Sequence, residues 1–251
     1  MRTPTLLAAS LAIGCATSPA VPPRAAEQLR RGYAHLAAGD AERAEVAFEH
    51  ALELAPDLAE GWNGLGVVAR AREDAEAARR RFARAVRLAP DLAEAHANLG
   101  EALLALGRGE EAEAALRAAL RLAPDLPGAR LTLARALLHR GLLDPPHRPA
   151  LWAEARRHEL HLLEAAPERA EPHADLAFMA WLSGRPVEAE AGWRRAVALA
   201  PTPEAWHGLC LALTRLGRCA EGRDACDRCL ALAPELPACR QSRRAAEACA
   251  P

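Results

Sequence analysis

The chain has 251 residues, of which 51% are hydrophobic but only 4% aromatic, so any core is assembled mainly from alanine and leucine at close helix-to-helix distance. Its 32 basic and 33 acidic residues are interspersed to a net charge of -1, which leaves no field to gather nucleic acid or an anionic membrane surface. Strong helix formers dominate, β-branched residues are few, and glycine and proline recur at intervals, so the composition points to an all-α chain.

Residues 1–14 carry one positive charge, Arg2, and then the apolar run Leu6 to Ile13. That run is far shorter than the ~20 apolar residues needed to span a bilayer and reads as a signal peptide. It stops at Ala12-Ile13-Gly14-Cys15, which resembles the lipobox of bacterial lipoproteins, with Ala12 where leucine is usual. The resemblance implies a diacylglyceryl group on the Cys15 thiol and cleavage before it. Ala16, where an aspartate would favour inner-membrane retention, implies sorting to the outer membrane, facing the periplasm. Each buried CH₂ of an acyl chain contributes about 0.8 kcal/mol, so two or three chains anchor stably without a transmembrane helix. Residues 15–24, with three prolines, are then a lipidated tether. The alternative is a soluble secreted protein cut between Ala16 and Ala20.

Downstream, Leu-Ala-Pro followed by an acidic residue recurs at Pro56, Pro90 and Pro124, 34 residues apart, and again at Pro234. Residues 25–58 place Gly32, Ala44, Phe48, Ala51 and Pro56 in one frame, and 59–92 place Trp62, Leu65, Gly66, Ala78, Phe82, Ala85 and Pro90 in the same frame. Residues 93–126 and 170–202 follow it, and 203–236 keeps it with Cys210, Cys226 and Cys229 at small or aromatic places. This frame resembles the tetratricopeptide family, whose 34-residue helix-turn-helix units bury their apolar faces only by stacking. The expected fold is an α-solenoid of six repeats over residues 25–251, with a closing helix at 237–249: thirteen helices. Proline ends each second helix, and the acidic residue after it is expected to cap the next.

The fourth repeat, 127–169, is nine residues too long, with the surplus around Leu142 to Pro149. Three prolines there exclude a regular helix and suggest an inserted surface loop, either tolerated or partner-contacting.

Six cysteines lie between 210 and 249, an even number that suits a disulfide framework in an exported protein. In antiparallel helices, residues equally far from the connecting turn sit at equal height, at about 1.5 Å of rise per residue. Heights match for Cys210 with Cys226, Cys229 with Cys239, and Cys219 with Cys249. Cys226-Asp-Arg-Cys229 also has redox-pair or half-zinc-site spacing, but it lacks a βαβ context and a second ligand pair.

No phosphate-binding glycine loop, metalloprotease motif, nucleophile elbow or local triad is present, so neither a catalytic residue nor a cofactor is expected. His158 and His161 are three apart on a helix, a spacing that also fits a solvated face, and no metal is assigned to them. Tetratricopeptide solenoids bind on the concave wall formed by the first helix of each repeat. The inward places here carry Leu29, Tyr33, Leu36, Val67, Leu104, Leu131, Leu138, Phe178 and Trp181, with Arg70, Glu101 and Arg135 between them. As a set they suggest a groove for an amphipathic helix or apolar strand, although any one of them also fits as core. The basic and asparagine residues with which cytosolic members clamp a terminal carboxylate are not matched.

Six repeats behind a lipobox-like Cys15 resemble the Tgl-type pilotins of bacterial type IV pilus machines. The resemblance implies a monomeric lipoprotein that holds secretin subunits at the outer membrane while they assemble. A periplasmic scaffold for envelope or polysaccharide assembly is the alternative.

Overall fold

A computed structural model describes residues 21–249. The expected signal peptide and Cys15 lie outside the described residues. Thirteen helices occur among those residues, and they pair antiparallel. α1 (Pro23–Ala37) pairs with α2 (Ala41–Leu54), α3 (Ala59–Ala71) with α4 (Ala75–Leu88), and α5 (Ala93–Ala105) with α6 (Gly109–Leu122). α7 (Pro127–Leu143) pairs with α8 (Arg148–Ala165), α9 (Ala170–Leu182) with α10 (Pro186–Leu199), and α11 (Pro203–Arg215) with α12 (Cys219–Leu232). α13 (Pro237–Glu247) closes the stack. The fold is all-α, a tetratricopeptide solenoid of six helix pairs with a capping helix.

Odd-numbered helices touch the next odd-numbered helix, whereas even-numbered helices do not meet one another. The stack therefore curves, with α1, α3, α5, α7, α9 and α11 on the inside. No described helix is long and apolar enough to cross a membrane.

The expected capping differs from what is built. The acids after each junction proline do not cap: Leu58, Leu92 and Leu126 hold the N-cap positions of α3, α5 and α7. Asp57 instead meets Arg84 at 3.1 Å. A side chain six residues beyond the proline takes over the orphan carbonyl. Trp62 Nε1 donates to Pro56 O (2.9 Å), Arg130 to Pro124 O and Arg240 Nε to Pro234 O (3.0 Å). The His96 and His173 rings reach Pro90 O and Pro167 O, each at 3.0 Å. Satisfying a backbone carbonyl at these five junctions helps fix the angle between one repeat and the next, whereas at Pro201 the equivalent His207 turns to Ser242 instead. Side-chain caps occur within the first two pairs, where Asp40 accepts from Arg43 N (3.0 Å) and Asp74 from Ala77 N (2.9 Å), and at the junction after Pro201, where the Thr202 hydroxyl accepts from Ala205 N (3.2 Å).

Inside each pair a small residue on the first helix faces a large one on the second. A Cβ added at Gly32 would lie 2.4 Å from Phe48, one at Gly66 2.4 Å from Phe82, and one at Gly100 2.6 Å from Leu116. Phe48, Phe82 and Leu116 are fully buried. The sixth pair replaces this contact with a covalent bond, because Cys210 and Cys226 occupy the corresponding places and are joined, with Cα atoms 5.3 Å apart. Cys229–Cys239 (Cα–Cα 6.2 Å) and Cys219–Cys249 (5.6 Å) tie α13 and its C-terminal end to α12. Three disulfides mark an oxidising compartment outside the cytoplasm.

Replacing Cys229 and Cys239 together with alanine should remove about 2–3 kcal/mol of local stability. Because a solenoid is quasi-one-dimensional, faster amide exchange should be confined to α12 and α13 and leave α1 to α8 unchanged. A uniform rise along the chain would refute this localisation.

The fourth pair corrects one expectation. The surplus is not a loop: α7 has 17 residues and α8 has 18, against 13 and 14 in the second pair, so about one extra turn is added to each helix. Leu142 and Leu143 continue α7, and Pro149 sits in the first turn of α8, where a missing N–H costs nothing. The turn is closed by Arg148 Nε donating to Gly141 O (2.8 Å) and by its guanidinium over the Trp152 ring (5.3 Å). Between the third and fourth pairs, the buried Glu113 of α6 meets Arg117 of the same helix and Arg140 of α7 at 3.1 Å each, and Arg117 continues to Glu154 of α8 at 3.0 Å.

Candidate partner-binding groove

The concave wall is not one continuous apolar path. At its N-terminal end, Leu29 and Leu36 are half-buried against the Phe48 cluster. Tyr33 is 39% exposed, with its ring edge-on to Phe48 at 5.1 Å and its hydroxyl donating to Glu60 O at 3.2 Å. Val67 packs beside Phe82, and Leu104 and Leu131 are half-buried.

Leu138 is a correction to the expected groove. It is 7% exposed and belongs to the core with Leu137, Leu151 and Met179. The lengthened α8 causes this, since it brings Leu151 into the same cluster and sets Trp152 Nε1 to donate to Leu138 O (3.1 Å).

The middle of the wall is polar. Asn98 Nδ2 donates to Asn63 Oδ1 at 2.9 Å, and Arg70 pairs with Glu101 and reaches Asn98 Oδ1 at 3.3 Å. These groups satisfy one another across α3 and α5, so this stretch offers shape more than free charge.

Toward the C-terminal end the wall opens into a cavity of about 990 Å³. Phe178, 37% exposed, and the half-buried Trp181 line it, with the Trp181 ring 6.2 Å from that of buried Trp193. Leu199, Leu211 and Leu236 complete the apolar lining, and sequence reasoning misses all three. Leu211 stands at the ninth place of its repeat, the register of Tyr33 and Phe178, so its signal is present in the sequence. Leu199 and Leu236 come from the ends of second helices and junction turns, which the inward-place rule does not cover.

Beside the cavity, α7, α8 and α9 meet around two acids. Arg135 Nε donates to Asp175 Oδ2 at 2.8 Å. Glu159 is 1% exposed, and its Oε2 has no hydrogen-bond partner. Burial, and then the adjacent Asp175 charge, push the Glu159 carboxyl up to about 8, against the pull of Arg135 and Arg169. Burial also raises Asp175. Both shifts favour a shared proton between the two carboxyls above the ordinary carboxylate range. On the far side, His207 Nε2 lies 2.9 Å from the buried Ser242 Oγ, and burial lowers the imidazole pKa. His158 is held by Arg130 (3.4 Å), whereas His161 is exposed.

A curved stack of helix pairs with an open inner wall, lined by aromatic and aliphatic groups at one end, is consistent with a tetratricopeptide solenoid scaffold. A family model of the tetratricopeptide repeat matches residues 29–90 and 68–127. No curated protein matches the chain. Among solved structures, PilW, titled a widely conserved type IV pilus biogenesis factor, is 18% identical with a TM-score of 0.74, covering 88% of this chain and 98% of its own. Pseudomonas aeruginosa pilF is 19% identical with a TM-score of 0.73, covering 88% and 97%. TTC0263, a tetratricopeptide protein of Thermus thermophilus, is 24% identical with a TM-score of 0.60, covering 76% and 99%. At these identities the likeness is one of fold.

Proposed function

We propose that this protein is a lipid-anchored pilotin of a type IV pilus machine, tethered through Cys15 to the periplasmic face of the outer membrane. Its concave wall holds an apolar segment of each secretin subunit and releases it when the ring closes. The observation that carries this reading is co-extension: the likeness to PilW and pilF runs over 88% of this chain and nearly all of theirs, so it spans the whole stack and not a repeat or two. The lipobox-like Cys15 and a disulfide-stapled C-terminal end suit the same compartment.

The test is deletion of the gene and electrophoresis of the secretin without full denaturation. Multimers should be lost on deletion, return with the wild-type gene, and fall sharply with Phe178→Ala, whose helical circular dichroism should be unchanged. Normal multimers in the deletion strain would sink the pilotin reading and leave the general periplasmic scaffold, to which the likeness to TTC0263 is equally suited.

A further inference from the structure

We infer that the cavity between α9, α11 and α13 seats an apolar segment of a partner protein whose anchoring side chains are flanked by arginine or lysine. The inference rests on the reading that the inner wall holds protein, and adds the chemistry of what it holds. A volume of about 990 Å³ lined by Phe178, Trp181, Leu211 and Leu236 takes several bulky side chains at once.

The rim decides what flanks them. Four carboxylates, Glu168, Glu171, Asp175 and Glu204, line the cavity against two guanidiniums, Arg135 and Arg169. Both guanidiniums are engaged, Arg135 with Asp175 at 2.8 Å and Arg169 with Glu171 at 3.7 Å. Glu168 and Glu204 are exposed and form no ion pair among the described residues. Glu204 stands in the first turn of α11 and offsets its dipole, but Glu168 precedes α9 and has no such role. A low-dielectric cavity with uncancelled negative charge at its mouth favours a cationic approach and repels an acidic peptide or an anionic lipid headgroup. Farther along the inner wall, Arg70 and Glu101 cancel, so the preference belongs to this end.

The test uses the chain beginning at Cys15 with its disulfides formed and Cys15→Ser to keep it unlipidated. Two labelled amphipathic peptides share one apolar face, with leucine and tryptophan at i, i+3, i+4 and i+7, and carry either arginine or glutamate flanks. The arginine-flanked peptide should bind about tenfold more tightly at low salt, and high salt should erase the difference. Glu168→Gln with Glu204→Gln should bring the two affinities together, and Phe178→Ala should weaken both. Equal affinities, preference for the acidic peptide, or binding of neither overturns the inference. A clear preference alongside normal secretin multimers in the deletion strain retires the pilotin reading alone, and lost multimers without any preference retire this inference alone.

Discussion

Phe82→Ala is expected to cost about 3–5 kcal/mol, the largest effect of any single substitution considered for this chain. Phe82 is fully buried between the first helices of two successive pairs, in a cluster with Ala69, Ala78 and Ala102 and with Val67 and Leu99 beside it. Truncation therefore opens a void at an interface between repeats, and neighbours this small cannot collapse into it. Gly66→Ala attacks the same contact from the other side. Its new Cβ would lie 2.4, 2.6 and 2.9 Å from three atoms of the Phe82 ring, an overlap costing about 1–3 kcal/mol. The roughly 1 kcal/mol that alanine gains over glycine in a helix offsets only part of that. In the double variant the added methyl enters the space the ring has left, so the combined loss should be smaller than the sum of the two by more than about 1 kcal/mol. Urea unfolding of the four proteins measures this coupling. Additivity within ~0.5 kcal/mol would mean that the glycine is not there to admit the ring.

That contact also explains which features of the fold are legible in the sequence. Gly32 with Phe48, Gly66 with Phe82 and Gly100 with Leu116 repeat at one spacing because each pair solves the same close-approach problem, and the junction prolines punctuate them. Helix number, pairing and capping helix follow from this periodicity. The fourth pair departs from expectation because Pro145, Pro146 and Pro149 suggest a loop, whereas a proline in the first turn of a helix is tolerated and only four residues separate α7 from α8.

For the groove, register gives direction but not depth. Leu138 and Trp181 share the twelfth place of their repeats, yet the extra turn of α8 covers the first while the second faces a cavity. Least visible are the interacting acids. Glu159 and Asp175 lie on different helices, and each resembles an ordinary charge on a helix surface until packing removes the water between them.

Glu159→Gln is expected to stabilise the protein at pH 8 by more than about 1.4 kcal/mol, the free energy of one pKa unit, and to leave it nearly unchanged at pH 5. In the folded protein the carboxyl titrates at about 8, raised from an ordinary 4.5 by burial and by Asp175. Between those values the native state keeps a proton that the unfolded chain releases, so the unfolded state binds fewer protons and stability falls as pH rises. The penalty is absent below the unfolded value and complete above the folded one. Glutamine keeps a donor for Asp175 and removes the titration, so its stability should be flatter across this window. The half-buried His158 and His207 act in the opposite sense: burial lowers both, and they cost stability as pH falls through the ordinary imidazole range. The wild type should therefore show a maximum between two declines, with only the alkaline limb relieved by Glu159→Gln. Urea midpoints for both proteins at pH 5, 6.5 and 8 check this. A variant less stable than the wild type at pH 8 would show that ionised Glu159 is held favourably by Arg135 and Arg169, and that the acids at the junction of the fourth and fifth pairs do not share a proton.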